Sequence, residues 1–178
     1  LGGGNDGKSP LLGFKNIPKL PLKNVLGVMY GKPSQMYAVR LPVLLVVDID
    51  NDTPEAHTYV EKQFGASTVQ VKTPRGVHHY YKLPAGTPKP KYIRQDEIAI
   101  DFKHGVNAYV AGPYSIRPDG GEYIPHLGIL GETKLPDFSS TNYDAPSSSV
   151  TGKKVFHRSA DSKVGKGKRN AFLTRKAI

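Results

Sequence analysis

One stretch limits the fold more than any other: LPVLLVVDIDND, Leu41 to Asp52, an apolar run that ends abruptly in three acids. Val43 to Asp50 has strand length and is rich in Val and Leu, so it reads as a central strand covered on both faces. The following DTPEAHTYVEKQFG carries the punctuation of a helix. Asp52 or Thr53 can cap it, Pro54 suits the first helical position, Glu55 complements the dipole and Gly65 can close the end. Ala56, Tyr59 and Val60, with Gln63 or Phe64, make its inward face.

Downstream, STVQVKT and HHYYKL are separated by the turn Pro74 to Gly76 and read as a hairpin-like pair. After the loop GTPKPK, alternation predicts a strand from Glu97 to Lys103, then a short strand in NAYVAG and a turn-rich return, PYSIRPDGGEY, ending in one more extended piece. The sum is an α+β domain with a mixed, mainly antiparallel sheet and flanking helices. The opening 1–23 mixes Gly, Pro and Lys and reads as an irregular arm. Its GGGxxGK string is not a phosphate loop, because no apolar strand precedes it and Pro10 follows Ser9 where a helix would start. Three segments are expected: a folded domain over 1–130, a Ser/Pro-rich linker over 131–152, and the basic start of a helical region over 153–178. Opening on Leu and stopping at Ile178, the chain reads as a piece of a longer polypeptide cut inside a helical element.

With 178 residues and 38% hydrophobic content the chain can bury a real core. Its net charge of +10 makes an anionic partner the first to test. That charge is uneven: residues 151–178 hold nine basic side chains and one acid, so the body is near neutral and the tail is basic. Lys153, Lys154, Arg158, Lys166, Lys168 and Arg169 are the candidate nucleic-acid contacts, a solvated extension being the alternative. The absence of cysteine excludes disulfides and cysteine-ligated zinc and suits a cytoplasmic protein. No apolar run approaches the roughly 18 residues of a membrane span.

Residues two apart on a strand share a face, so Asp48 and Asp50 project together while Ile49 points into apolar packing. Paired carboxylates at a core edge repel, and a hard divalent cation such as Mg or Mn resolves that. The plain alternative is a strand ending in a solvated Asp turn, and for Asp52 the helix cap is the favoured reading. In IAIDFKHG the same face carries Asp101 and Lys103; if this strand neighbours the first, three acids surround two cations, as in phosphoryl or nucleotidyl transfer. Alone, Asp101 and Lys103 would be an exposed pair on a sheet face. In TPRGVHHYYKL, His79 and Tyr81 face one way and His78 and Tyr80 the other, so one histidine can enter a site without its neighbour.

The order of these pieces resembles the bifunctional primase-polymerase domains of the archaeo-eukaryotic primase superfamily. VVDIDND looks like the first motif, TPRGVHHYYK like the second, and IDFKHGVNAYVAGPYSIRPDGGEY like the third with its following Pro-x-Ser turn; GKGKRNAFL resembles the start of the helical region that often follows. The resemblance implies an RRM-like catalytic core, a two-metal Mg or Mn site at Asp48, Asp50 and Asp101, and His79 on the phosphates of the incoming nucleotide. Val77 stands where the family has a second glycine; His79 is chosen over His78 because it keeps the interval from Thr73 and the following His-x-Tyr. Lys103, Ser115 and Arg117 match nucleotide-contacting positions. Implied partners are a single-stranded DNA template, NTPs or dNTPs, and a replicative helicase, fused or separate, in a plasmid or phage setting.

The implied activity is template-directed nucleotidyl transfer: primer synthesis and DNA polymerisation. Two other classes stand beside it. A rolling-circle-type replication nickase wants His-x-His on one face, which adjacent His78 and His79 do not supply. A non-catalytic origin DNA-binding module would act through the basic tail alone.

Overall fold

In a computed structural model that describes residues 1, 7–10, 20–29, 35–95 and 97–141, the apolar run forms the middle of a sheet. The elements in chain order are α1 (Leu22–Met29), β1 (Ala38–Ile49), α2 (Pro54–Phe64), β2 (Gln70–Lys72), β3 (Val77–Lys82), β4 (Tyr92–Gln95), β5 (Ile98–Ala111) and β6 (Ile124–Leu127). The strand order is β4-β5-β1-β3-β2-β6, and each pair of neighbours is antiparallel. β2 runs in the same direction as β1, but β3 lies between them, so the crossover through α2 creates no parallel pair.

Both faces of β1 are apolar, which explains why its sequence does not alternate. On one face Leu45, Val47 and Ile49 pack with Ala56, Val60 and Phe64 of α2 and with Ile100 and Phe102 of β5. On the other, Leu41 and Val46 pack with Val71, Tyr80, Val110 and Tyr123. α2 is fastened at both ends. Thr53 is its N-cap, the Oγ1 accepting from Ala56 N at 3.3 Å, and the Tyr81 hydroxyl donates to Gly65 O at 2.7 Å beyond the last turn. Asp52, the favoured cap in the sequence, is not the cap: its carboxylate instead accepts from His57 Nε2 at 2.7 Å.

Three departures from the sequence reading have local causes. The strands expected at 97–103 and in NAYVAG are one strand, β5, whose register against β1 jumps where Leu41 faces Gly105 and Leu45 faces His104. Gly105, at φ 110°, permits the kink without ending the strand. α1 begins inside the segment read as an irregular arm, and Pro21 O accepts from Asn24 N and Val25 N to start its first turn. The segment expected to open a linker at residue 131 is tied to the core as far as Phe138. Lys82 N donates to Pro136 O at 2.9 Å, Phe138 N donates to Lys82 O at 2.8 Å, and the Phe138 ring stacks on Phe64. Residues 142–178, which carry the rest of the expected linker, the helical region and the basic contacts Lys153, Lys154, Arg158, Lys166, Lys168 and Arg169, lie outside the described residues. Among the described residues no helix is long and apolar enough to cross a membrane.

Candidate active site

Register alone assembles the acids. Asp48 on β1 sits directly opposite His78 on β3 and Asp101 on β5, and Asp101 sits opposite Tyr92 on the edge strand β4. Residues directly opposite in an antiparallel ladder share a face, so His78, Asp48, Asp101 and Tyr92 form one row across four strands. Asp50 follows the end of β1, yet its N–H donates to Ala99 O at 2.9 Å and carries the pairing one residue further. Asp48 and Asp50 thus border one cleft, with Lys8, Thr73, Arg75, His78 and Arg117 on its other walls.

The turn that closes this cleft depends on Gly76. Thr73 Oγ1 accepts from Arg75 N and Gly76 N, at 3.3 and 2.9 Å, and Thr73 N donates to Gly76 O at 2.8 Å. A Cβ on Gly76 would overlap the Ile49 carbonyl and crowd the Asp50 backbone. The Thr-Pro-x-Gly sequence is therefore what lets the turn lie against the strand end that bears the acids.

The acids are met by cations of the protein itself. Lys103 Nζ donates to Asp101 Oδ2 at 2.6 Å and lies 3.9 Å from Asp48 Oδ2. Arg94 Nη2 donates to Asp101 Oδ1 at 2.6 Å and lies 3.7 Å from Asp50 Oδ2, while Arg75 lies 3.9 Å from Asp50 Oδ1. For Asp101, burial works to raise the pKa, but the bonds from Lys103 and Arg94 outweigh it and hold the carboxyl below its ordinary value. Asp48 differs. Burial pushes it up to about 6, Lys103 offsets only part of this, and Asp50 and Asp101 add to the rise.

His78 Nε2 is 3.5 Å from Asp48 Oδ1, but the two are not an ion pair. Burial pulls the imidazole down to about 3, with Lys8 and Lys103 contributing, so the ring is neutral near pH 7. Its Nδ1 is buried with no hydrogen-bond partner among the described residues, and so is Nε of Arg117.

Of the residues chosen from sequence, Asp48, Asp50, Asp101, Lys103 and Arg117 come together on one side of the sheet. His79 does not. It faces α2, where its Nε2 meets His57 Nδ1 at 3.1 Å, and His57 in turn holds Asp52. The interval from Thr73 favoured His79, but the β1–β3 register pairs His78 with Asp48 and so puts His78 on the acidic face. Two histidines facing opposite ways form no shared metal centre. Ser115 is fully buried, and its Oγ accepts from Tyr37 N at 3.4 Å. Arg94, Lys8 and Arg75 were missed as site residues. The signal for Arg94 was there: YIRQ places Tyr92 and Arg94 on one face of a short strand, two residues before the strand bearing Asp101.

The donor set suits a hard divalent cation. Asp48, Asp50 and Asp101 are oxygen donors on one face, and the charge of Asp48 is undercompensated where it stands. Among the described residues, however, no three His, Cys, Asp or Glu side chains converge closely enough to cage an ion as they stand. Lys103 and Arg94 lie between the carboxylates instead.

A family model described as "Bifunctional DNA primase/polymerase, N-terminal" matches residues 4–137. Comparison with curated proteins and with solved structures gives no match.

Proposed function

The chain belongs to the bifunctional DNA primase/polymerase N-terminal family, and from that premise we propose that it synthesises primers and extends DNA on a single-stranded template. The observation that carries this reading is the row His78, Asp48, Asp101, with Asp50 at its end, facing a cleft walled by Lys8, Arg75 and Arg117. Asp48, Asp50 and Asp101 would hold Mg or Mn, which when bound acidifies a 3′-hydroxyl and neutralises phosphate charge.

The chain's own residues do the rest. Lys8, Arg75 and Arg117 bind the triphosphate of an NTP or dNTP, Arg117 exchanging the 2.6 Å bond from its Nη2 to the exposed carboxylate of Asp119 for one to a phosphate oxygen. His78, kept neutral by burial, donates to a phosphate oxygen through Nε2, the ring atom nearest Asp48. Lys103 compensates the charge that builds on the phosphates. Ser115 acts by fixing the turn that carries Arg117 rather than by touching the nucleotide. Template sequence is read by base pairing, so the protein needs only a positive track, for which Lys153, Lys154, Arg158, Lys166, Lys168 and Arg169 are the candidates. A replicative helicase partner, in a plasmid or phage replicon, is the setting this reading implies.

The test is nucleotide incorporation on single-stranded DNA, unprimed and primed, with each metal and nucleotide class. Asp48→Ala with Asp50→Ala should abolish incorporation while the far-UV circular dichroism stays native. Synthesis by that variant would overturn the assignment, and a covalent protein–DNA adduct in its place would mark a nickase.

A further inference from the structure

Arg94 occupies the place between two of the acids. Its Nη2 is 2.6 Å from Asp101 Oδ1 and 3.7 Å from Asp50 Oδ2, and its Nη1 is moored to the carbonyls of Ile93 and Ile100 at 2.9 and 2.7 Å. The mooring is backbone, so it persists whatever the carboxylates do. The guanidinium also lies 5.7 Å from the centroid of the Tyr92 ring, on an edge strand, with 46% of the side chain exposed. A ligand arriving from solvent therefore reaches Arg94 without opening the core.

Electrostatics sets a conflict at this point. A fixed guanidinium between Asp50 and Asp101 supplies charge that a divalent cation would otherwise bring, and it repels that cation. Arg94 also prefers planar oxyanion pairs, and a triphosphate offers more of them, with more charge, than two carboxylates. Lys103 makes a similar bridge from Asp101 toward Asp48, but its ammonium is a point charge on a flexible stem with no backbone anchor among the described residues.

We propose that Arg94 is a built-in counter-ion that holds the Asp50–Asp101 pair until a nucleotide's triphosphate draws its Nη2 away, so that divalent cation and nucleotide load together. This rests on the reading that these acids bind divalent cations. It gives the protein a reason to keep its metal site closed when no substrate is present, and it makes cation and nucleotide binding mutually reinforcing.

The experiment titrates Mn2+ into the wild-type chain, Arg94→Gln and Arg94→Lys, with and without dATP, counting free Mn2+ by electron paramagnetic resonance against a nucleotide-only blank. Without nucleotide, Arg94→Gln should bind Mn2+ about five-fold or more tightly than wild type, and Arg94→Lys should stay near wild type. The gain in Mn2+ affinity on adding dATP should be large in wild type and small in Arg94→Gln. Equal or weaker Mn2+ binding by Arg94→Gln, in a wild type that does bind Mn2+, overturns the counter-ion role alone. If wild type binds no Mn2+ even with dATP, the carboxylate site is itself wrong and the role of Arg94 falls with it.

Discussion

Across the β1–β3 pair, His78 Nε2 stands 3.5 Å from Asp48 Oδ1, whereas the next residue, His79, meets His57 on the far side of the sheet at 3.1 Å. Strand alternation thus separates two identical side chains into two jobs. His78→Ala should lower kcat/KM for incorporation by about 100-fold, the usual loss of one positioned donor to a charged transition state. His79→Gln should leave the incorporation rate near wild type and lower the melting temperature, because it breaks the chain from His79 through His57 to Asp52 that pins the start of α2. Steady-state incorporation paired with thermal melts separates the two; the reverse pattern would restore His79 to the site.

Both imidazoles are buried and pulled down to about 3, so both stay neutral in the folded chain at pH values where the unfolded chain is already protonated. The unfolded state then binds more protons, and stability is fully present above about pH 6.5 and declines as pH falls toward 3, by up to about 1.4 kcal/mol per pH unit for each group. Asp48 works in the opposite sense. Raised to about 6, it takes up a proton in the folded chain first, which offsets part of the decline below pH 6. Denaturant melts in EDTA between pH 7.5 and 5 should show falling stability, and Asp48→Asn should steepen the fall. A flat profile would mean that the histidines are not held neutral.

Legibility followed the range of the interactions. The β1–α2 unit was readable because its signals are local: a Val/Leu run, a Thr-Pro start and a Gly stop within 25 residues of chain. The pairing of Asp48 with Asp101 was conditional in the sequence, since only register could bring residues 53 positions apart face to face. Arg94 was hidden for a related reason. Strand β4 is four residues long and buries only Ile93, too little pattern to distinguish it from the Pro/Lys-rich loop before it. The choice between His78 and His79 turned on the register of β3 against β1, which pairs His78 with Asp48 and which the spacing of a motif does not reveal.

Gly76 tests the turn independently of any charge. A Cβ there would overlap the Ile49 carbonyl, which belongs to backbone and has nowhere to go without moving Asp50. Gly76→Ala should cost about 2–3 kcal/mol in a urea melt, the scale of overpacking a tight contact, and should reduce incorporation beyond what the lost stability explains. A variant with wild-type stability would show that the turn can lift away from β1, and with it that the acids do not depend on the turn for their position.

Asp48 offers the sharpest separation of function from stability. Its carboxylate is four-fifths covered by side-chain exposure, 3.9 Å from the nearest ammonium and beside two other acids. Raising a buried carboxyl from its ordinary value to about 6 corresponds to about 3 kcal/mol of strain in the metal-free chain at neutral pH. Asp48→Asn removes that charge with almost no change of shape, so it should raise stability in EDTA by up to that amount while abolishing incorporation. Mg2+ added with dATP should raise the melting temperature of the wild-type chain above its value with dATP alone, because a ligand that binds only the folded state stabilises it by mass action, and should leave the variant unmoved. If Asp48→Asn proves less stable than wild type in EDTA, the carboxylate is satisfied where it stands, and the case for a cation at this row loses its electrostatic basis.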